Sequence, residues 1–319
     1  MTKKIQQTFM MPDHLGGMRL DQALSKLLTD YSRTQIQDWI KKNEITVNDN
    51  VPRARDIVLG GEKINIFATM KSYPEWKAED ITLDIVYEDD SLLVINKPAG
   101  MVVHPGAGNT SQTLLNALLH HVPALQALPR AGIVHRIDKN TSGLLVIAKT
   151  DIALKKLSDQ LKKHTISRIY QAIVTGVLTG GGTIDQPIGR HPIQRKRMAV
   201  IETGKPAITH YRIVEKYRAY TRVKVQLETG RTHQIRVHFS YKHHALLGDQ
   251  TYGGRLQLPK GATPELIQTL RTFKRQALHA SELGLIHPET GQEVRFHAPL
   301  PNDMIELINT LKFDLSTIK

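Results

Sequence analysis

Helical periodicity begins soon after residue 16. Leu20, Leu24, Leu27 and Leu28 fall on one apolar face. Ser32 stands three residues before Gln35, a capping-box spacing, and the helix it predicts turns Ile36, Trp39 and Ile40 inward. Arg33, Lys41 and Lys42 stay exposed near the ends of that helix. ITVNDNVPR predicts short strands about an Asn48-Asp49-Asn50 turn, and GGEKINI predicts another strand. Residues 16–70 thus read as a small unit of two helices and strands, with basic residues on the helices. Such a unit is either a compact RNA-binding module or a structural cap. Residues 1–15 read as a flexible tail, and the polar stretch 71–80, containing Pro74, as a linker.

Beyond residue 81 the pattern becomes strand-rich. LDIVYE, SLLVINK, GLLVIAK, YQAIVTG, RVKVQLETG and IRVHF are strand candidates. Helices are predicted over residues 112–120, about 151–164, and in ATPELIQTLRTF and PNDMIELINTLK. The two signals alternate without a regular βα period. That predicts one large mixed α+β domain over 81–319 rather than a barrel or a doubly wound sheet.

Composition narrows the function. A chain of 319 residues suits about two domains. No run approaches the roughly 18 apolar residues of a membrane span, and the first residues lack the apolar segment of a signal peptide. With no cysteine, thiolate and disulfide chemistry are excluded. The expected location is the cytoplasm, with no membrane partner. Lys and Arg number 43 against 30 acidic residues, a formal charge of +13. That charge suits a polyanionic partner, or a soluble protein that is merely basic. Neither G-x-G-x-x-G nor G-x-x-x-x-G-K-[ST] occurs in a suitable setting, and the 15 histidines lack ligand spacing. No nucleotide cofactor or metal is expected.

The densest polar cluster is AGIVHRIDKNTSGLLVIAKT, residues 131–150, where HRIDKNTS lies between two strand-like segments. Asp138 sits at its centre, flanked by Arg136 and Lys139, cations that favour an ionised carboxylate. It reads either as a nucleophile or base, or as a turn aspartate bonded to its own backbone. In ETGRTHQIRVHF, residues 228–239, Arg231, His233 and Arg236 crowd beside apolar positions. A strand over 235–239 puts Ile235 and Val237 on one face and Arg236 on the other. There Arg236 needs an anion, either a phosphate or carboxylate of a site or a structural partner. GRHPIQRKRMAV, residues 189–200, gathers Arg190, Arg195, Lys196 and Arg197 in a bent loop or hairpin. It is either an RNA-binding surface or an ordinary solvated loop.

HRIDKNTSGLLVIAK, INKPAGMVVHP, SRIYQAIVTG, GRTHQIRVH, LGDQTYGG and ALHASELGLIHPETG are distributed along the chain beyond residue 94. Together they resemble the RluA-type ribosomal pseudouridine synthases, and the N-terminal unit resembles an S4 RNA-binding domain, so the likeness covers nearly the whole chain. The resemblance implies a mixed-sheet catalytic domain with a central cleft. It makes Asp138 the catalytic aspartate, Tyr170 the residue on the target base and Arg236 the arginine paired with the carboxylate. Arg136 would fill the space left by the extruded base. Ile137 and Ile235 would line the pocket, and Asn96 and His104 its rim. Arg33, Lys41, Lys42, Arg190, Arg195, Lys196, Arg197, Arg231 and His233 are the expected RNA contacts. The implied activity is isomerisation of uridine to pseudouridine in large-subunit ribosomal RNA, at the clustered uridines of the helix 69 stem-loop. The expected enzyme is a monomer without cofactor or metal, acting on free RNA or an assembling ribosomal particle. A catalytically silent RNA-binding or ribosome-assembly factor is the alternative.

Overall fold

The computed structural model describes residues 4–28, 31, 33–69, 76–106, 108–195 and 197–317, with backbone alone for Lys4, Thr34 and Thr69. The capping position Ser32, the basic Lys196 and linker positions 70–75, with Pro74, lie outside the described residues. The chain divides into two compact units, residues 1–75 and 76–319.

The first unit holds β1 (Lys4–Met10), α1 (Leu20–Leu27), α2 (Arg33–Lys41), β2 (Ile45–Val47) and β3 (Lys63–Thr69). Its sheet has the order β1-β3-β2, all antiparallel. The expected flexible tail is corrected here. Over residues 4–10 the chain pairs along the whole of β3, and Ile5, Met11 and Leu15 are buried in the unit's core. The alternation of Ile5, Gln7 and Phe9 was too polar to read as a strand. As the helical spacing predicts, Leu20, Leu24, Ile36, Trp39 and Ile40 are buried in that core. The turn at Asn48-Asp49-Asn50 forms, but VPR does not make a strand, and β2 pairs with β3 instead.

The second unit begins with the hairpin β4 (Ile85–Glu88) and β5 (Leu92–Lys97), followed by α3 (Leu114–His121) and β6 (Ser142–Ala148). Next come α4 (Asp151–Lys162), β7 (Ser167–Thr175), β8 (Gly182–Asp185), β9 (Ile188–Arg190) and β10 (Met198–Val200). β11 (Ile208–Lys216), β12 (Tyr220–Leu227), α5 (Gln234–Tyr241) and α6 (Pro264–Thr272) lead to β13 (Leu278–Ile286), β14 (Glu293–His297) and α7 (Asn302–Ser316). One sheet runs β4-β5-β6-β13-β7-β12-β11-β8, with β14 also paired to β13. Within it only β6 and β13 run parallel, so the sheet is mixed. Among the described residues no helix is long and apolar enough to cross a membrane.

The central strands are apolar on both faces because both are covered. Leu93, Ile95, Leu145 and Ile147 pack with α3 and α5 on one side. Leu92, Val94, Leu144 and Val146 alternate with them and pack with α4 on the other. This double burial anchors the segment leading into β6. Gly143 lets β6 approach β13 closely: its φ is +115°, and a Cβ there would lie 2.2 Å from the Ala280 carbonyl oxygen.

Candidate active site

The predicted strand at 235–239 is a helix. Two side-chain features start α5: the Gln234 carboxamide oxygen accepts from the Arg231 N–H at 2.9 Å and from the Thr229 hydroxyl at 2.9 Å. His233 precedes the helix with φ of 57°, a left-handed conformation uncommon outside glycine. Helical periodicity then sends Ile235 and Phe239 into the main core and Val237 into a separate one. Arg236 points elsewhere, toward two carboxylates.

Its guanidinium joins them. Nη1 donates to Asp138 Oδ2 at 2.8 Å, while Nε and Nη2 donate to the two oxygens of Asp249 at 2.7 and 2.9 Å. Asp249 is fully buried and also accepts from the N–H groups of Thr251 and Tyr252. Burial opposes its charge, but Arg236 and these N–H groups outweigh burial and hold its carboxyl below the ordinary range. Burial likewise opposes the Arg236 cation, and the bonds and charges of Asp249 and Asp138 more than reverse this, raising its pKa. The ring of Tyr252 closes over the guanidinium at 5.0 Å. Arg236 is thus held on one side by a buried carboxylate while it presents one N–H to Asp138.

Asp138 lies in the loop before β6, and the loop is fixed from several directions. Its own carbonyl accepts from Thr141 N–H at 3.0 Å, closing a turn. The Lys139 carbonyl accepts from Gly100 N–H at 2.9 Å and from Lys97 Nζ at 3.1 Å. Lys97 is fully buried, and its ammonium also donates to the carbonyls of Pro98 and Met101 at 2.7 and 2.9 Å. Gln276 bonds the Thr141 hydroxyl at 3.0 Å. The Asp138 backbone makes a turn, while its carboxylate, rather than bonding that turn, pairs with Arg236 at the border of the cleft. In the segment expected to be strand-like, Gly132 ends a tight turn from Pro129, and Ile133 makes a single bridge to Ile147.

The cleft has a volume of about 920 Å³. Asp138, Arg136, Ile137, His104, Tyr170, Arg231, His233, Ile235 and Arg236 all border it. His233 Nε2 stands 3.7 Å from Asp138 Oδ1, and its Nδ1 meets the Tyr252 hydroxyl at 2.8 Å. Burial pushes the imidazole below its ordinary value, with Asp138 opposing the shift. Tyr170 is 7% exposed, and burial raises its phenol.

Other expected contacts are elsewhere. Asn96 does not border the cleft; half-buried on β5, between β4 and β6, it bonds Asp84 at 2.8 Å. In the first unit Arg33 is half-exposed, but its guanidinium is engaged by the buried Asp21 at 2.8 Å, along with Arg19 and Gln37. Lys41 and Lys42 are exposed. Arg190, Arg195 and Arg197 lie on the hairpin of β9 and β10 outside the cleft lining. That hairpin is tied to the site, since Met198 N–H donates to the Tyr252 hydroxyl at 2.9 Å. Residue patterning had not singled out Asp249, Tyr252 or Lys97. The run LGDQTY contains the first two, but nothing in its spacing reveals that Asp249 will be buried against Arg236.

Comparison with known proteins adds the family. Residues 91–241 match the family model described as RNA pseudouridylate synthase, and residues 18–64 match the S4 domain. The chain is 58% identical over 301 residues to ribosomal large subunit pseudouridine synthase D of Pasteurella multocida, covering 93% of this chain and 92% of that one. It is 53% identical over 314 residues to the protein of the same description in Pseudomonas aeruginosa, covering 98% of each. Among solved structures, human RNA pseudouridylate synthase domain containing 4 aligns with a TM-score of 0.56 at 23% identity, over 72% of this chain and 92% of that chain, a likeness of fold.

Proposed function

Because this chain belongs to the RNA pseudouridine synthases, we propose that it isomerises uridines of large-subunit ribosomal RNA with the Asp138 carboxylate acting at the ribose. The observation that carries this reading is the Asp138–Arg236–Asp249 chain at the cleft: a carboxylate open to the cleft, oriented by a guanidinium whose other edge is locked.

Isomerisation breaks N1–C1′ and makes C5–C1′. If Asp138 attacks C1′, an ester bond forms there and the N1–C1′ electron pair leaves with the uracil. The base turns within the cleft, C5 displaces the carboxylate, and the C5 proton departs. If Asp138 instead removes the ribose C2′ proton, a C1′=C2′ double bond forms as the same electron pair leaves with the base; C5 then bonds C1′, C2′ regains the proton from Asp138, and the C5 proton departs. Neither route consumes water or changes oxidation state. Arg236 orients the carboxylate through a charge-assisted bond. Tyr170 packs its ring on the uracil. With its phenol raised by burial, the hydroxyl stays neutral near pH 7 and relays a proton at C5 only as it accepts another. Arg136 takes the place of the extruded base, with Ile137 and Ile235 as apolar walls and His104 at the rim. Extrusion costs a few kcal/mol and is cheapest from a loop.

The finer target in this reading is the group of uridines in the helix 69 stem-loop, modified by a monomer in the cytoplasm. Arg231, His233, the basic hairpin, Lys41 and Lys42 supply RNA contacts. A site-resolved pseudouridine map of cellular RNA, with and without the gene, tests this. Loss confined to helix 69, restored by the wild-type gene but not by Asp138→Asn, is expected. Loss only at other sites would overturn the target. No loss in cells together with no turnover by the purified protein would favour a silent RNA-binding factor.

A further inference from the structure

One charged group bordering the cleft has no task in that scheme. Arg168 stands two residues before Tyr170 on β7, so both side chains leave the same face of the sheet. Both border the cleft. Arg168 is 8% exposed, and among the described residues it has no ion-pair partner. Its hydrogen bond is a long one, from Nη2 to the Glu228 carbonyl at 3.4 Å, and its buried Nε has no acceptor. Gly230 leaves space for it, since a Cβ there would lie 2.5 Å from Nη1. The nearby His135 is neutral, since burial, then Arg168 itself, push that imidazole down to about 3. An uncompensated buried cation costs folding stability. An anion entering the cleft would restore the balance.

Resting on the function proposed above, the reaction supplies such an anion. By either route the N1–C1′ electron pair stays on the detached uracil until C5 bonds to C1′, and its charge is shared by the ring nitrogens and carbonyl oxygens. We propose that Arg168 is a further catalytic residue, whose guanidinium N–H groups bind a carbonyl oxygen of the departing uracil and stabilise its anionic form beside Tyr170. An RNA phosphate offers related chemistry. The burial of Arg168 and its place beside Tyr170 favour the base.

The test compares wild type, Arg168→Gln and Arg168→Lys in single-turnover reactions on a ribosomal stem-loop RNA that the wild type modifies. A second RNA carries 5-fluorouridine at the target, whose more acidic uracil is the better leaving group. Loss of the N1-linked nucleoside is followed in both. Arg168→Gln should slow the uridine reaction about 100-fold, slow the 5-fluorouridine reaction only about tenfold, and leave RNA Kd within about threefold of wild type. Arg168→Lys should recover part of the rate. The Tm of Arg168→Gln should equal or exceed that of wild type, because an unpaired charge has been removed. Equal losses on the two RNAs, or a lowered Tm, would make Arg168 structural and overturn the proposal. Weakened Kd with a normal rate at saturation would make it a phosphate contact, overturning it equally. A wild-type protein that isomerises no uridine would instead overturn the functional reading of the cleft, before any variant is compared.

Discussion

At Arg236 one guanidinium serves two carboxylates in unlike surroundings, one at the cleft and one buried. Replacing Arg236 by methionine frees Asp138 from its orienting bond, and the single-turnover rate should fall by about two to four powers of ten. Near-normal turnover would remove Arg236 from the site. Asp249→Asn keeps the shape but leaves the guanidinium without its buried counter-charge. Urea unfolding should show a loss of about 3 kcal/mol, with a smaller fall in rate than for Arg236→Met. An unchanged midpoint would contradict the anchoring role. Lys97 gives a pH signature. Burial pushes its ammonium down to about 7, with Asp138 opposing and Arg275 adding to the shift. Between that value and the ordinary 10.5 the unfolded chain holds a proton that the folded chain has released. Stability therefore rises with pH across this window. The stability of wild type relative to Lys97→Met should increase from pH 7 to 10, and a constant difference would refute the shift. Asp138 and Arg236 were legible as residues because cations and apolar positions crowd around them. Asp249 and Lys97 were not, because burial of a lone polar side chain is decided by distant strands and loops. Asn96 shows the converse error: it adjoins Lys97 in the chain, but the strand alternation turns it to the opposite face of the sheet, where it bonds Asp84.

The elements most readable in advance were those with long periodic runs. β5, β6, β7 and β12 fall where their apolar segments predicted, and α4, α6 and α7 where helical spacing did. α5 was misread because a five-residue stretch such as IRVHF satisfies both periods, and short apolar runs do not separate helix from strand. Its start is set by Gln234 reaching back to Arg231 and Thr229, a tertiary detail rather than a pattern. β1 was missed for the opposite reason, since its exposed face carries polar residues and its partner β3 lies more than 50 residues away. β6 and β13 approach each other closely just beyond the Asp138 loop. Gly143→Ala would place its Cβ 2.2 Å from the Ala280 oxygen at a φ of +115°. A loss of about 3 kcal/mol or more is expected from combined backbone strain and overpacking. Thermal or urea unfolding measures it, and a neutral effect would show that the two strands separate easily.

At the scale of the whole molecule, the +13 charge and the two separate cores argue for a division between RNA affinity and chemistry. Deleting residues 1–75 should weaken RNA binding and make its logarithmic dependence on salt shallower, by about one unit of slope for each phosphate that the shortened chain no longer neutralises. The remaining chain should still turn over at high enzyme concentration, because Asp138, Arg236 and Asp249 all lie beyond Trp76. Unchanged affinity and salt slope would make the first unit structural. Charge and composition pointed to a polyanion but left open which one; the ordered sequence segments narrowed it to RNA, and no pattern of spacing specifies a target uridine. The central claim is that Asp138 drives uridine isomerisation. Its most direct measurement is a site-resolved pseudouridine count in large-subunit ribosomal RNA incubated with purified wild type or Asp138→Asn, both first shown to be folded and RNA-binding. Wild type should form pseudouridine at unchanged RNA mass, and Asp138→Asn should form none. Substantial pseudouridine from the folded Asp138→Asn protein would contradict the account.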